Sequence, residues 1–316
     1  MTALVIGCDE FLGAELTQQL LFAGETVTGL SLFPWEQSEK RTARLQTIEQ
    51  NTNARHFIYV GNLGNLSDDI ETRLARVQKV YFLPEFNAEI EHQEFILHLT
   101  LKVLNLCDMI RPAHLVFGSH YCIYRPSSEP ICADQTGTDH PENISAAIVK
   151  AIESLLHGFC AQKQLPTTVM RIFELYGTDA SEMNLVQQLK NKIEAGESCN
   201  LKELQNHQLD YVFVKDAAKI LTRAMEHNAR PSKSWHPQSG LLSSSFSPWH
   251  IYDLGTGQGT SMRTLITMIA QTLRQPEQTI NHYSHQNNGW VADTAPLKMH
   301  MGLQARTLLA KGLAQL

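Results

Sequence analysis

Charge is scarce in this sequence, and positive charge most of all. Only 18% of the 316 residues are charged, against about a quarter in an average soluble domain. Lysine and arginine together number 26 and face 32 aspartates and glutamates, for a formal net charge of −6. That balance argues against a nucleic-acid-binding surface, which needs clustered positive charge to displace counterions. No apolar run approaches the roughly 18 residues needed to span a bilayer, so no membrane partner is expected. Met1-Thr2-Ala3-Leu4-Val5-Ile6-Gly7 has no basic stretch ahead of its short apolar segment, so no secretory signal is expected either. The six cysteines (Cys8, Cys107, Cys122, Cys132, Cys160, Cys199) lie far apart without a C-x-x-C pair. This spacing suits reduced thiols in the cytoplasm better than a disulfide frame or a zinc site. His282-x-x-His285 lies in a polar stretch with no acidic or thiol third ligand nearby, so no metal is expected.

What the sequence does have is a strict alternation of short apolar strands and amphipathic helices. Ala3 to Ile6 reads as a buried strand, and Leu12, Leu16 and Leu20 then recur at helical spacing until Gly24. Strands are predicted at Val27–Leu32, His56–Val60, Lys79–Leu83, Leu115–Gly118 and Thr167–Phe173. Two strongly apolar helices lie between the last three, one marked by Ile96, Leu99, Val103 and Leu106, the other by Ile148, Ile152, Leu155 and Phe159. The pattern calls for an α/β fold with a doubly wound parallel sheet. After Gly177 the rhythm changes. Helices are predicted over Asn184–Ala195, Ala217–Glu226, Met262–Leu273 and Arg306–Leu313, with strands at Asp210–Val214 and Ile251–Leu254. Pro231–Trp249, rich in Ser and Pro, reads as a surface loop.

Gly7-Cys8-Asp9-Glu10-Phe11-Leu12-Gly13 links the first strand to the first helix. Glycines at such a junction allow a tight turn that lets a pyrophosphate meet the positive helix end. Further along stand His114-Leu115-Val116-Phe117, Asp139-His140-Pro141 and Leu165-Pro166-Thr167-Thr168. Arg171-Ile172-Phe173-Glu174-Leu175-Tyr176-Gly177, Tyr252-Asp253-Leu254-Gly255 and Ala292-Asp293-Thr294 follow. With these segments the chain resembles the extended short-chain dehydrogenase/reductase family, the NAD-dependent epimerase/dehydratase group. Within that group the likeness is greatest to bacterial UDP-glucuronate 4-epimerases. The resemblance implies a Rossmann-type domain over residues 1–170, to which 208–228 and about 250–260 return. It also implies a smaller α/β substrate lobe from 171–207 and 261–316, with 231–249 as a surface loop. NAD or NADP as cofactor, a nucleotide-sugar ligand and a homodimer through the helices around 89–108 and 145–163 are implied in the same way.

The residues at the family's working positions nevertheless depart from its pattern. The resemblance places cofactor contacts at Gly7, Phe11, Leu12, Gly13, Ser31 and Asn62. The middle glycine of the turn is replaced by Glu10, which puts a carboxylate where a pyrophosphate would sit. Repulsion there amounts to about several kcal/mol at short range in a partly desolvated turn. Asp9 and Glu10 either stabilise the positive helix end in place of an anion or belong to a rearranged cofactor site. Ser31 stands where an acidic residue holds the adenosine ribose, with no arginine close behind it, and Asn62 stands where an acid meets the adenine. The catalytic relay hydroxyl falls at His120, which as an imidazole could act as a base. The family's Tyr-x-x-x-Lys falls in one of two registers, with Ser145 and Val149 or with Ala146 and Lys150; neither supplies a phenol. On the substrate side Arg171 matches the family's structural arginine in the strand, for which packing or a local ion pair is expected. Glu174 replaces a small polar residue, and Leu209 stands where an arginine grips the diphosphate. The segment Thr178–Met183 lacks a basic residue. A dehydrated diphosphate needs charge-assisted donors, and this set supplies few. The expected function is that of a catalytically degenerate family member with a binding or regulatory role near nucleotide-sugar or polysaccharide metabolism. The alternative is an active NAD(P)-dependent epimerase, dehydratase or reductase that uses His120 as its base.

Overall fold

Strand β1 (Thr2–Ile6) sets the architecture. Ala3 and Val5 point into one hydrophobic core and Leu4 and Ile6 into another, all without solvent exposure. A strand apolar on both faces must be covered on both, which requires helix layers on either side of a parallel sheet. The computed structural model describes residues 2–33, 38–51, 56–67, 69–86, 89–134, 141–197, 207–236, 241–276 and 288–316. Cys199, His282, His285, Asp139 and His140 lie outside the described residues.

The main sheet is parallel and contains β1, β2 (Thr26–Ser31), β3 (Phe57–Asn62), β4 (Val77–Phe82), β5 (His114–His120), β6 (Thr167–Ile172) and β9 (Trp249–Leu254). Its order, β3-β2-β1-β4-β5-β6-β9, reverses direction between β1 and β4. Ligands of doubly wound sheets bind at such a switch point, outside the carboxyl ends of the strands. Helices α1 (Phe11–Phe22), α2 (Glu39–Asn51) and α7 (Val214–Ala224) feed one core. Helices α3 (Ile70–Leu74), α4 (Ile90–Ile110) and α5 (Ile144–Lys163) feed the other.

A second sheet is built around β8 (Gln208–Phe213), which pairs with β7 (Glu174–Tyr176), β10 (Gly259–Ser261) and β11 (Gly289–Trp290). Its core is filled by α6 (Leu185–Glu194), α8 (Met262–Thr272) and α10 (Leu309–Leu313). This arrangement divides the 208–228 segment expected to return to the first domain. α7 packs Ala217, Ala218 and Leu221 into the core beside α1 and Val212 of β8 reaches the same core, while the β8 backbone is paired within the small sheet. The 261–316 segment also divides, because Ala292, Leu297 on α9 (Ala295–Met301) and Ala305 bury themselves in the first core. In the 231–249 loop, Asp134 accepts the Leu242 and Ser243 N–H groups at 2.8 Å each and Trp235 packs on Phe246. Residues 237–240 of it lie outside the described residues.

Among the described helices α5 alone is long and apolar enough to cross a membrane by length and composition, with a mean hydropathy of 1.4, although no apolar run of that length was expected. Its Ile152, Leu156 and Cys160 pack into the sheet core, and its Glu153 carboxylate is ion-paired inside the protein.

His114, at the start of β5, is almost fully buried and held in one neutral tautomer. Nδ1–H donates to the Met225 carbonyl (3.1 Å) and Nε2 accepts from the Thr168 hydroxyl (3.0 Å). Burial lowers its pKa to about 4. Between that value and the unfolded one near 6.5, the unfolded chain binds the proton and the folded chain does not. The stability carried by the neutral ring is therefore present above pH 6.5 and is lost as pH falls towards 4. The expected result is that His114→Gln costs stability at pH 7 and that its deficit relative to the parent shrinks by pH 5. Urea midpoints at the two pH values check it.

Candidate functional site

A cavity of about 920 Å³ lies at the carboxyl ends of β4, β5 and β6 and the start of α1. Its walls come from both sheets, because β7, β8 and β11 of the small lobe close over the crevice of the large one.

Near α1, two glycines serve the turn itself. Gly7 has a φ of +91°, and a Cβ there would stand 2.5 Å from the Leu83 carbonyl oxygen; one on Gly13 would stand 1.8 Å from the Gly7 oxygen. The position between them is different. Glu10 caps α1 with its backbone and is 3% exposed, and its carboxylate pairs with Arg41 of α2 at 2.8 Å. Burial pushes the Glu10 carboxyl up, and Arg41 opposes that shift. The Arg41 guanidinium also covers the Phe33 ring, 4.6 Å from its centroid. Arg44 donates to the Asp9 carbonyl (3.0 Å) and to the Asp179 carbonyl (2.6 Å), and Lys40 donates to the Ala180 carbonyl (2.8 Å). Three cations of α2 thus tie the glycine turn and the Thr178–Met183 segment together. That segment does have basic partners, and they come from a helix that folds back rather than from adjacent sequence.

This end does not fit a dinucleotide in the pose the family resemblance implies. A pyrophosphate at the α1 N-terminus would meet the Glu10 carboxylate, and the Arg41 cation there is already neutralised. Ser31 is fully buried and accepts the Tyr59 hydroxyl at 3.0 Å. Asn62 uses its side-chain oxygen on the Asn65 N–H of its own turn. Of the predicted cofactor contacts, Phe11 and Leu12 line the cavity, whereas Gly7, Gly13, Ser31 and Asn62 do not.

At the centre, Ser145 lines the cavity and accepts a hydrogen bond from Gln93 of α4 at 2.9 Å. One turn later on the same face of α5 stands buried Val149, while Ala146 is also buried and Lys150 is not on the cavity wall. Of these positions the one on the cavity wall is therefore a serine. His120 does reach the cavity. Its Nδ1 accepts the Cys122 N–H at 3.1 Å and its ring stacks on Tyr121 at 4.5 Å. Burial lowers its pKa to about 4, so near neutral pH the ring offers an Nε2–H donor and no unengaged lone pair.

At the far end Glu174 and Leu209 line the cavity with Tyr121, Trp290 and His207. Tyr121 donates to Glu174 Oε2 at 2.9 Å, and burial raises the Glu174 carboxyl above its usual range. Arg171 does not contact this space. It is 2% exposed, bonded to Glu153 through Nε (3.0 Å) and Nη2 (2.7 Å), with Nη1 on the Tyr124 hydroxyl (2.7 Å). Tyr124 donates in turn to Asp253 (2.6 Å) and Ser119 to Glu153 (2.6 Å), forming a closed network beneath the cavity floor. Burial pushes Asp253 up to about 7. Arg171 thus forms the local ion pair expected of the structural arginine in this strand, neutralising the Glu153 carboxylate that α5 buries against the sheet, and takes no part in the substrate side of the cavity. Gln93, Trp290 and the α2 cations were not expected at the site. The Lys40-Arg41-x-x-Arg44 spacing, which puts three cations on neighbouring positions of one helix, is the signal that could have pointed to α2.

A family model described as "NAD dependent epimerase/dehydratase family" matches residues 3–236. An "Uncharacterized 37.6 kDa protein in cld 5'region" of Escherichia coli O111:H- is 24% identical over 282 residues, covering 86% of this chain and 84% of that protein. A "Probable UDP-glucuronate 4-epimerase" of Rhizobium meliloti (strain 1021) is 20% identical over 289 residues, covering 87% and 83%. The crystal structure of UDP-glucuronic acid 4-epimerase from Bacillus cereus in complex with UDP-glucuronic acid and NAD has a similar fold. Its TM-score is 0.80 at 18% identity, covering 99% of this chain and 96% of that one.

Proposed function

This chain belongs to the NAD dependent epimerase/dehydratase family, and we propose that it has left the family's redox chemistry and acts as a ligand-binding, regulatory protein. The observation that carries this reading is the buried Glu10–Arg41 pair at the α1 N-terminus, a built-in anion and cation where a pyrophosphate would need an open cradle. The serine at the cavity-facing position of α5 supports it, because no phenol is there to take a proton. Relatives named as UDP-glucuronate 4-epimerases support a role close to nucleotide-sugar or polysaccharide metabolism. The free thiols Cys8, Cys107, Cys122, Cys132 and Cys160 support a cytoplasmic setting.

Incubating the protein with UDP-glucuronate and either NAD or NADP tests the reading. The expected outcome is neither the 4-epimer nor a reduced cofactor, and calorimetric titration is expected to give no heat with NAD, NADP, UDP or UDP-glucuronate. Turnover, or tight binding of either dinucleotide, contradicts it. The competing reading, an active NAD(P)-dependent enzyme with His120 as base, requires turnover that His120→Ala abolishes. The Nδ1 bond to Cys122 counts against that role.

Association through α4 and α5 belongs to the same proposal. Phe95, Leu101 and Met109 of α4 and Ile144 and Leu155 of α5 are each at least 36% exposed, an apolar surface that suits a homodimer. Sedimentation is expected to show a dimer, and Leu101→Asp a monomer at micromolar protein concentration.

A further inference from the structure

The far end of the cavity has an unusual balance of groups. Glu174 sits in its wall, and its described hydrogen-bond partner is the Tyr121 hydroxyl. Among the described residues no lysine, arginine or histidine forms an ion pair with Glu174. Arg171 is turned away into its bond with Glu153, and Leu209 supplies no charge. A carboxylate drawn out of water is costly unless a cation pairs with it, and burial raises the Glu174 pKa against the opposing hydrogen bond from Tyr121.

The surroundings suit one kind of partner. Tyr121 is stacked between His120 (4.5 Å between centroids) and Phe173 (5.4 Å), so its faces are covered and it turns its hydroxyl to Glu174, while Trp290 meets it at 6.0 Å and His207 packs on the same indole at 4.9 Å. The Trp290 ring is fixed by its Nε1–H bond to the Tyr124 carbonyl at 2.9 Å. An indole beside a carboxylate attracts an organic cation through its negative ring face.

We infer that this end of the cavity binds an organic ammonium group, held by Glu174 and the ring of Trp290, in place of the nucleotide diphosphate named for the relatives. The inference rests on the proposal that the family's nucleotide chemistry has been lost, and it specifies what the cavity takes instead.

Benzylamine and its neutral analogue benzyl alcohol, titrated calorimetrically into the full-length protein at pH 7.5, are the probes; UDP-glucuronate is titrated in a parallel arm. Benzylamine is expected to bind at least tenfold more tightly than benzyl alcohol. Glu174→Gln, which keeps an acceptor for Tyr121, is expected to remove that preference, and Trp290→Phe to weaken benzylamine binding severalfold. Thermal unfolding checks that each variant is folded; should Glu174→Gln not fold, the amine-to-alcohol ratio and Trp290→Phe carry the test. Equal affinity for the two probes, no binding of benzylamine, or a preference that survives Glu174→Gln overturns the inference. Binding of UDP-glucuronate instead overturns the functional proposal beneath it, so the two failures are distinguishable.

Discussion

Arg171→Met is expected to lower stability by about 3–5 kcal/mol, the range for breaking one partner of a buried ion pair. The guanidinium is 2% exposed and makes three hydrogen bonds, two to Glu153 and one to Tyr124. Removing it leaves the Glu153 carboxylate buried with only Ser119 as donor, and takes the cation from beside Asp253 as well. The loss comes from the stranded charge rather than from the intrinsic strength of the pair. Arg171→Met combined with Glu153→Leu is therefore expected to recover at least half of it, because a well-packed apolar replacement of a buried pair is often neutral or stabilising. Urea unfolding of the two variants and the parent measures both effects. A double variant as unstable as the single one would show that the network contributes through hydrogen bonds to Tyr124 and Ser119 rather than through charge compensation.

The second large effect concerns the turn at α1. Glu10→Gly with Ser31→Asp is expected to confer measurable NAD affinity on a protein proposed to lack it. A carboxylate about 4 Å from a phosphate opposes binding by about 4 kcal/mol at the effective dielectric of a protein surface. Its removal corresponds to about two to three orders of magnitude in affinity. Glu10→Gly also frees Arg41, now held at 2.8 Å by Glu10, to donate to the phosphate. The new aspartate would supply an acceptor for the ribose diol, where Ser31 now receives the Tyr59 hydroxyl and interacts with the Asp9 carboxylate. Calorimetric titration with NAD gives the answer, and an unchanged null titration would mean that the α2 bridges to Asp179 and Ala180 also close the site.

Legibility of the sequence divides by how strongly each segment is apolar. β1, β5 and β6 and helices α1, α4 and α5 were readable because each buries a continuous apolar face, and burial is what their periodicity records. α2 was missed. It carries only two core side chains, Leu45 and Ile48, in thirteen residues, so it has no apolar stripe to detect, yet it supplies Lys40, Arg41 and Arg44 to the site. β7, β10 and β11 are two or three residues long and exist only through pairing with β8, a tertiary cause that no local pattern reveals. For the same reason the pairing of β8 within the small sheet is not legible in its own residues. At the site, the replacement of glycine by Glu10 was visible in sequence, but its counter-ion was not. The choice between the Ser145 and Ala146 registers likewise depended on which face of α5 meets the cavity.

The same tertiary pairing changes the meaning of the shortage of positive charge. The cations are few, but those of α2 have moved to the turn where a cofactor phosphate would lie, and they are already engaged there by Glu10 and by backbone carbonyls.

The most direct measurement of this account is the nucleotide content of the native protein as purified. Denaturing a known amount and separating the released small molecules by chromatography, with ultraviolet detection, should yield no NAD, NADH, NADP or NADPH. Recovery of any of them near one per chain would contradict the proposal that the Glu10–Arg41 pair has replaced the cofactor.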